Sequence, residues 1–203
     1  MKIDPKTVMA LREKTGAGVM DCKKALAETA GDLEKAVTWL HDKGIAAAAQ
    51  RADRVASEGS VGSYIHAGGK LGVLIEVNCE TDFCAKSEAF QALVKELAMQ
   101  VAAANPVCVK REDVSAAVIE QERQIYASQA EGKPAGVVTK IIEGKVDKFY
   151  RESCLLEQAY IRDPNKSVSD LLTEAGLQMR EKIEVRRFMR FQLGEPNEPG
   201  VAN

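Results

Sequence analysis

No excess of positive charge is present: 28 Lys+Arg stand against 30 Asp+Glu, a formal net charge of -2. Without a global positive field the chain has little to gather nucleic acid phosphates, which argues against direct DNA or RNA binding. Histidine is limited to His41 and His66, and neither belongs to an HExxH pair or to a motif that would activate a serine or cysteine. Both read as surface or capping residues. Long apolar runs are missing too. None approaches the roughly 20 residues that span a bilayer, and the alanine-rich stretch after Ile45 is broken by Gln50, Arg51 and Asp53. The first residues show no apolar signal-peptide core, and Cys22, Cys79, Cys84, Cys108 and Cys154 are odd in number and irregularly spaced. Together these features predict a soluble protein of the reducing cytoplasm, without a membrane partner.

The motifs of covalent chemistry are equally scarce. Gly16-Ala17-Gly18 opens like a dinucleotide fingerprint, but Asp21 stands where the third glycine is needed and the run follows a helix, not a strand. No phosphate-cradling loop with its lysine appears. Cys79 and Cys84 are separated by four residues, too far for a CxxC redox pair, and are without partners for a zinc site. They read as free thiols packing as small hydrophobes. Glu80 and Asp82 supply too few oxygens for a calcium cage. The expectation is a protein with no catalytic residues, no metal and no cofactor.

What is present is enough hydrophobic residue, 45% of 203, for a real core. Asp4-Pro5 reads as an N-cap and first helical position, with Val8 and Leu11 on one face and Gly16 as the stop. Val19, Cys22 and Leu26 repeat at helical spacing up to Gly31, and Asp32 caps a third helix bearing Leu33, Ala36, Val37 and Leu40, closed by Gly44. Ile45 to Val55 reads as a helical linker. From Ser60 the period becomes two: Val61, Ser63 and Ile65, a Gly68-Gly69 turn, then a strand from Gly72 to Val77. Phe90, Leu93, Val94, Leu97 and Val101 mark a helix ending before Asn105-Pro106, able to cover one face of the hairpin. Two surface helices follow, Asp113 to Ala130, ended by Gly132-Lys133-Pro134, and one marked by Val138, Ile141, Ile142, Val146 and Phe149. Near the end Ile183, Val185, Arg187, Met189, Phe191 and Leu193 alternate with polar neighbours and with Phe188, predicting a half-buried strand that joins the hairpin in one antiparallel sheet. The fold class expected is α+β: a three-helix module with its linker over 1–56, an α+β core over 57–195, and a flexible tail over 196–203.

Two places carry apolar side chains outside the periodic core. With Val19 turned inward beside Cys22 and Leu26, Met20 rotates about 100° away, next to Lys23 and Lys24. It suits either an adaptable contact with an apolar, acidic-rimmed partner or filler at the edge of a small core. The second place is Asn78-Cys79-Glu80-Thr81-Asp82-Phe83-Cys84, where Phe83 is either an exposed anchor or packs beneath the loop while Thr81 or Asp82 caps the next helix.

Three long motifs resemble one family. Leu11-Arg12-Glu13-Lys14-Thr15-Gly16-Ala17-Gly18-Val19-Met20-Asp21-Cys22-Lys23-Lys24-Ala25-Leu26 closely resembles the N-terminal signature of bacterial translation elongation factor Ts. Gly72 through Phe83 resembles that family's core motif, and Arg187-Phe188-Met189-Arg190-Phe191-Gln192-Leu193-Gly194-Glu195 its C-terminal strand. The resemblance implies a guanine-nucleotide exchange factor that binds elongation factor Tu in its GDP form and speeds GDP release. It implies a UBA-like N-terminal module, docking on the GTPase domain through Val19, Met20 and Lys23. Thr81, Asp82, Phe83 and Cys84 would form the segment that enters that domain and disturbs its magnesium and phosphate site. Cys84 departs from the aliphatic residue common in the family, and Gln158-Ala159-Tyr160 lacks a proline expected after the glutamine. Longer relatives carry two related sheet lobes where this chain has one, which implies a homodimer. Two other classes compete: a nucleotide-indifferent adaptor built on the N-terminal helices, and a thiol-redox protein using Cys79 and Cys84.

Overall fold

The computed structural model describes residues 3–195 apart from 131 and 133, so the expected flexible tail over 196–203 and Lys133 of the expected helix stop lie outside the described residues. Of helices α1 (Pro5–Thr15), α2 (Val19–Glu28) and α3 (Leu33–Arg51), the first and third begin at the caps read from the sequence and α2 begins directly after Gly18. Asp4 accepts a hydrogen bond from the Lys6 amide, Asp32 accepts from Lys35, and Gly16 ends α1 at φ 67°, a conformation that costs glycine little. One small core joins the three helices, built on Val8, Leu11, Cys22, Ala25, Leu26, Ala36 and Leu40.

The third helix differs from expectation. It does not close at Gly44 before a separate linker; α3 runs unbroken from Leu33 to Arg51. Gly44 is buried because a helix packs against it: a Cβ there would lie 3.1 Å from Thr173 Cγ2 and 3.8 Å from Leu177 Cδ2, both on α8 (Val168–Met179). Glycine in this place permits close approach and does not stop the helix.

Strands β1 (Glu58–Ile65), β2 (Leu71–Cys79) and β5 (Glu184–Gln192) form a three-stranded sheet in the order β1-β2-β5. The hairpin closes with His66 N donating to Leu71 O at 2.9 Å. Arg187 reaches Glu76 at 2.7 Å while Leu193 N donates to Lys70 O at 2.8 Å, so β5 descends as β2 ascends and the two are antiparallel. Helix α5 (Glu88–Ala104) covers one sheet face and stops before Asn105-Pro106. The covered face of β1 is that of Gly62 and Tyr64, not of Val61, Ser63 and Ile65; a Cβ on Gly62 would overlap Val94 of α5. In β5 the expected phase fails. Val185 is buried, but Met189, Phe191 and Leu193 are exposed while Phe188 and Arg190 are the more enclosed residues.

Helix α6 (Ala116–Gln129) starts at a Ser115 cap, after a single 3-10 turn over Arg111–Asp113, and so begins later than the expected Asp113. It pairs with α7 (Ala135–Ser153). A short antiparallel pair, β3 (Ala159–Tyr160) and β4 (Asp163–Ser167), leads into α8. The chain divides into two compact units. One comprises residues up to Ser60 with Val77–Leu93 and Ser169–Glu184; the other comprises Val61–Glu76, Val94–Val168 and residues from Val185 on.

Candidate partner-binding site

Strand β2 delivers the chain into a tight turn. Thr81 caps α4 (Asp82–Ala85), its hydroxyl accepting from the Cys84 amide at 3.2 Å. The Glu181 carboxylate holds that turn from the link between α8 and β5. Its Oε2 accepts from the amides of Glu80 at 3.0 Å and Thr81 at 3.1 Å, and its Oε1 accepts from the Thr81 hydroxyl at 2.5 Å. Glu80 returns the grip by accepting from the Lys182 amide at 2.6 Å and from Arg54 at 3.2 Å. The Lys182 N–H, helped by the Arg54 guanidinium, holds the Glu80 carboxyl below the usual carboxylate range. Charge-assisted hydrogen bonds therefore tie this turn to the link between α8 and β5, two of them at its own amides.

That fixed backbone sorts its side chains. Asp82 and Phe83 face outward while Cys84 is buried, its Sγ 3.5 Å from Met179 Sδ. Phe83 is 84% exposed, which excludes packing beneath the loop. Asp82 pairs with Lys86 at 2.7 Å, and this hydrogen bond keeps its carboxyl ionised to lower pH than usual. Glu80 and Asp82 each have a cation of their own and share none. Burial pushes the Cys79 thiol up and the Cys84 thiol to about 12, the opposite direction from an activated thiolate. The carboxylate that the fold brings to these two cysteines is that of the distant Glu181, with the three ligand atoms within 4.8 Å of one another.

On α2 the placement differs from expectation at one position. Ala17 and Cys22 fill the core, and Val19, expected to point inward, is 38% exposed at the first helical position. Met20 is 70% exposed and Lys23 is exposed as well. Val19 and Met20 thus make a small apolar surface, bordered by Asp21, which pairs with Lys43.

A family model described as Elongation factor TS matches residues 19–195. An elongation factor Ts of Thermoanaerobacter sp. (strain X514) is 58% identical over 195 residues, 95% of this chain and 96% of the relative. One of Geobacter metallireducens is 57% identical over 197 residues, 96% of this chain and 91% of the relative. The chain belongs to the elongation factor Ts family. Elongation factor Ts proteins are nucleotide-exchange factors of translation elongation, with elongation factor Tu as partner. In this chain the residues that sequence reasoning misses are Glu181 and Lys182. Arg180-Glu181-Lys182 reads as an ordinary solvated charge run, and nothing in its composition announces that it grips a turn about 100 positions earlier. Among the described residues no helix is long and apolar enough to cross a membrane.

Proposed function

We propose that this chain binds elongation factor Tu in its GDP form and promotes GDP release by disturbing the magnesium and phosphate site, acting in the cytoplasm without covalent chemistry. The observation that carries the reading is the outward Phe83, held beside Asp82 on a turn whose backbone is already fixed. A preordered anchor loses little conformational entropy on docking. An acid entering a nucleotide site competes for the cation or repels the phosphates, and loss of magnesium removes the main charge partner of GDP. Thr81 and Cys84 serve this segment by capping and seating the turn. Val19, Met20 and Lys23, on the UBA-like module of residues 1–56, supply a second contact on the GTPase domain. The core over 57–195 carries the wedge and pairs with a second copy as a homodimer.

Exchange of this kind is linkage. A factor that holds the empty GTPase more tightly than the GDP-loaded one must weaken GDP by the same ratio, and about 4 kcal/mol of coupling corresponds to roughly a thousandfold. The decisive experiment measures the affinity of this chain for nucleotide-free and GDP-loaded elongation factor Tu, together with the release rate of labelled GDP. Strong preference for the empty form with accelerated release is expected. Equal affinities and an unchanged rate would replace this reading by that of an adaptor indifferent to nucleotide.

A further inference from the structure

We propose that Cys79, Cys84 and Glu181 form a binding site for a thiophilic divalent cation of the zinc class, seated beneath the turn that presents Asp82 and Phe83. The three ligands converge from separate parts of the chain: the end of β2, the first turn of α4 and the link between α8 and β5. Their ligand atoms all lie within 4.8 Å of one another. Around a tetrahedral zinc ion, with Zn–S about 2.3 Å and Zn–O about 2.0–2.2 Å, neighbouring ligands stand about 3.5–3.8 Å apart. Side-chain rotation of about an ångström closes that difference.

The surroundings fit the chemistry. Both sulfurs are buried, and the Met179 thioether adds a further soft neighbour 3.5 Å from Cys84 Sγ. Glu181 is already oriented by two amides and the Thr81 hydroxyl, the outer-shell support that a carboxylate ligand requires. As the ion enters, two S–H bonds break, two metal–sulfur bonds form and both protons leave to solvent. Two positive charges on the ion balance the two new thiolates, so the cluster keeps the single negative charge of Glu181 and buries no new net charge. Three protein ligands leave a fourth position for water or the thioether. The assignment concerns the isolated chain and does not depend on the exchange reading.

The test uses the full chain, stripped of metal by a chelator and titrated with Zn2+ against a chromogenic competitor, and with Co2+ for thiolate-to-cobalt charge-transfer absorption. One ion per chain is expected, with the cobalt band present. Cys84→Val, close in volume and apolar, should abolish both signals. Glu181→Gln should weaken binding about ten- to hundredfold. Cys108→Ser with Cys154→Ser should leave both signals unchanged, although Cys108 and Cys154 lie 3.4 Å apart at sulfur. A measurement on the unaltered chain covers the case of a variant that fails to fold: added zinc should shield Cys79 and Cys84 from alkylation, mapped by mass spectrometry. Absence of a thiolate–cobalt band, retention of the ion by Cys84→Val, or zinc-dependent shielding confined to Cys108 and Cys154 overturns the proposal.

Discussion

An outward phenylalanine gains nothing from folding, so Phe83 has to be kept in water by its backbone and not by its own side chain. The Glu181 clamp provides that constraint through the consecutive amides of Glu80 and Thr81. Phe83→Ala should therefore leave thermal or urea unfolding unchanged to within about 0.5 kcal/mol. In exchange assays it should lower GDP release at limiting factor about ten- to hundredfold, the loss expected when an aromatic anchor worth about 1.5–3 kcal/mol is removed. A lowered unfolding midpoint with normal exchange would show that the ring is packed after all. At this scale the sequence was only partly legible. Four helical residues are too few for periodicity to say which way Phe83 points, and the residue that decides it is distant in the chain. Val19 was misjudged for a related reason: at the first position of α2 the core is already filled by Ala17, which sits before the helix and outside its period.

Elements were more legible than side chains, because caps and periodicity are local. The starts of α1 and α3, the β1–β2 hairpin, α5 and the α6–α7 pair all follow from such signals. The readings that failed involve tertiary contact. Gly44 looks like a helix stop until α8 is seen lying against it. Neither β4 nor α8 is among the elements expected from the sequence; β4 contains Pro164, Asn165 and Lys166 and lacks alternation. The packing reading of Gly44 is open to measurement. Gly44→Val should destabilise the chain by about 1–3 kcal/mol in urea unfolding, since its branched side chain has to displace Thr173 or Leu177. An unaltered or raised midpoint would mean that α3 and α8 have room between them.

For the molecule as a whole, the reversed phase of β5 matters more than any single helix. It leaves apolar side chains exposed on one sheet face among the described residues, with Phe191 60% and Leu193 75% exposed beside Ile65 and Leu74 along a shallow groove. A face of this kind marks an interaction surface, and self-pairing through it is what the proposed homodimer requires. Phe191→Glu combined with Leu193→Glu should turn a sedimenting dimer into a folded monomer, raising the dimer dissociation constant at least about a hundredfold. A wild-type chain that sediments as a monomer at micromolar concentration would remove the dimer from the functional picture. The sequence alternation indicated an apolar stripe here but assigned it to the core, because pattern alone does not say which side of a strand the covering helix takes.

The grip of Glu181 on Glu80 and Thr81 also orders events in time. A ribosome extrudes the amides long before it extrudes their acceptor, 100 positions later. A nascent chain that still lacks Glu181 therefore leaves this turn slack, and the turn sets only once that residue has emerged.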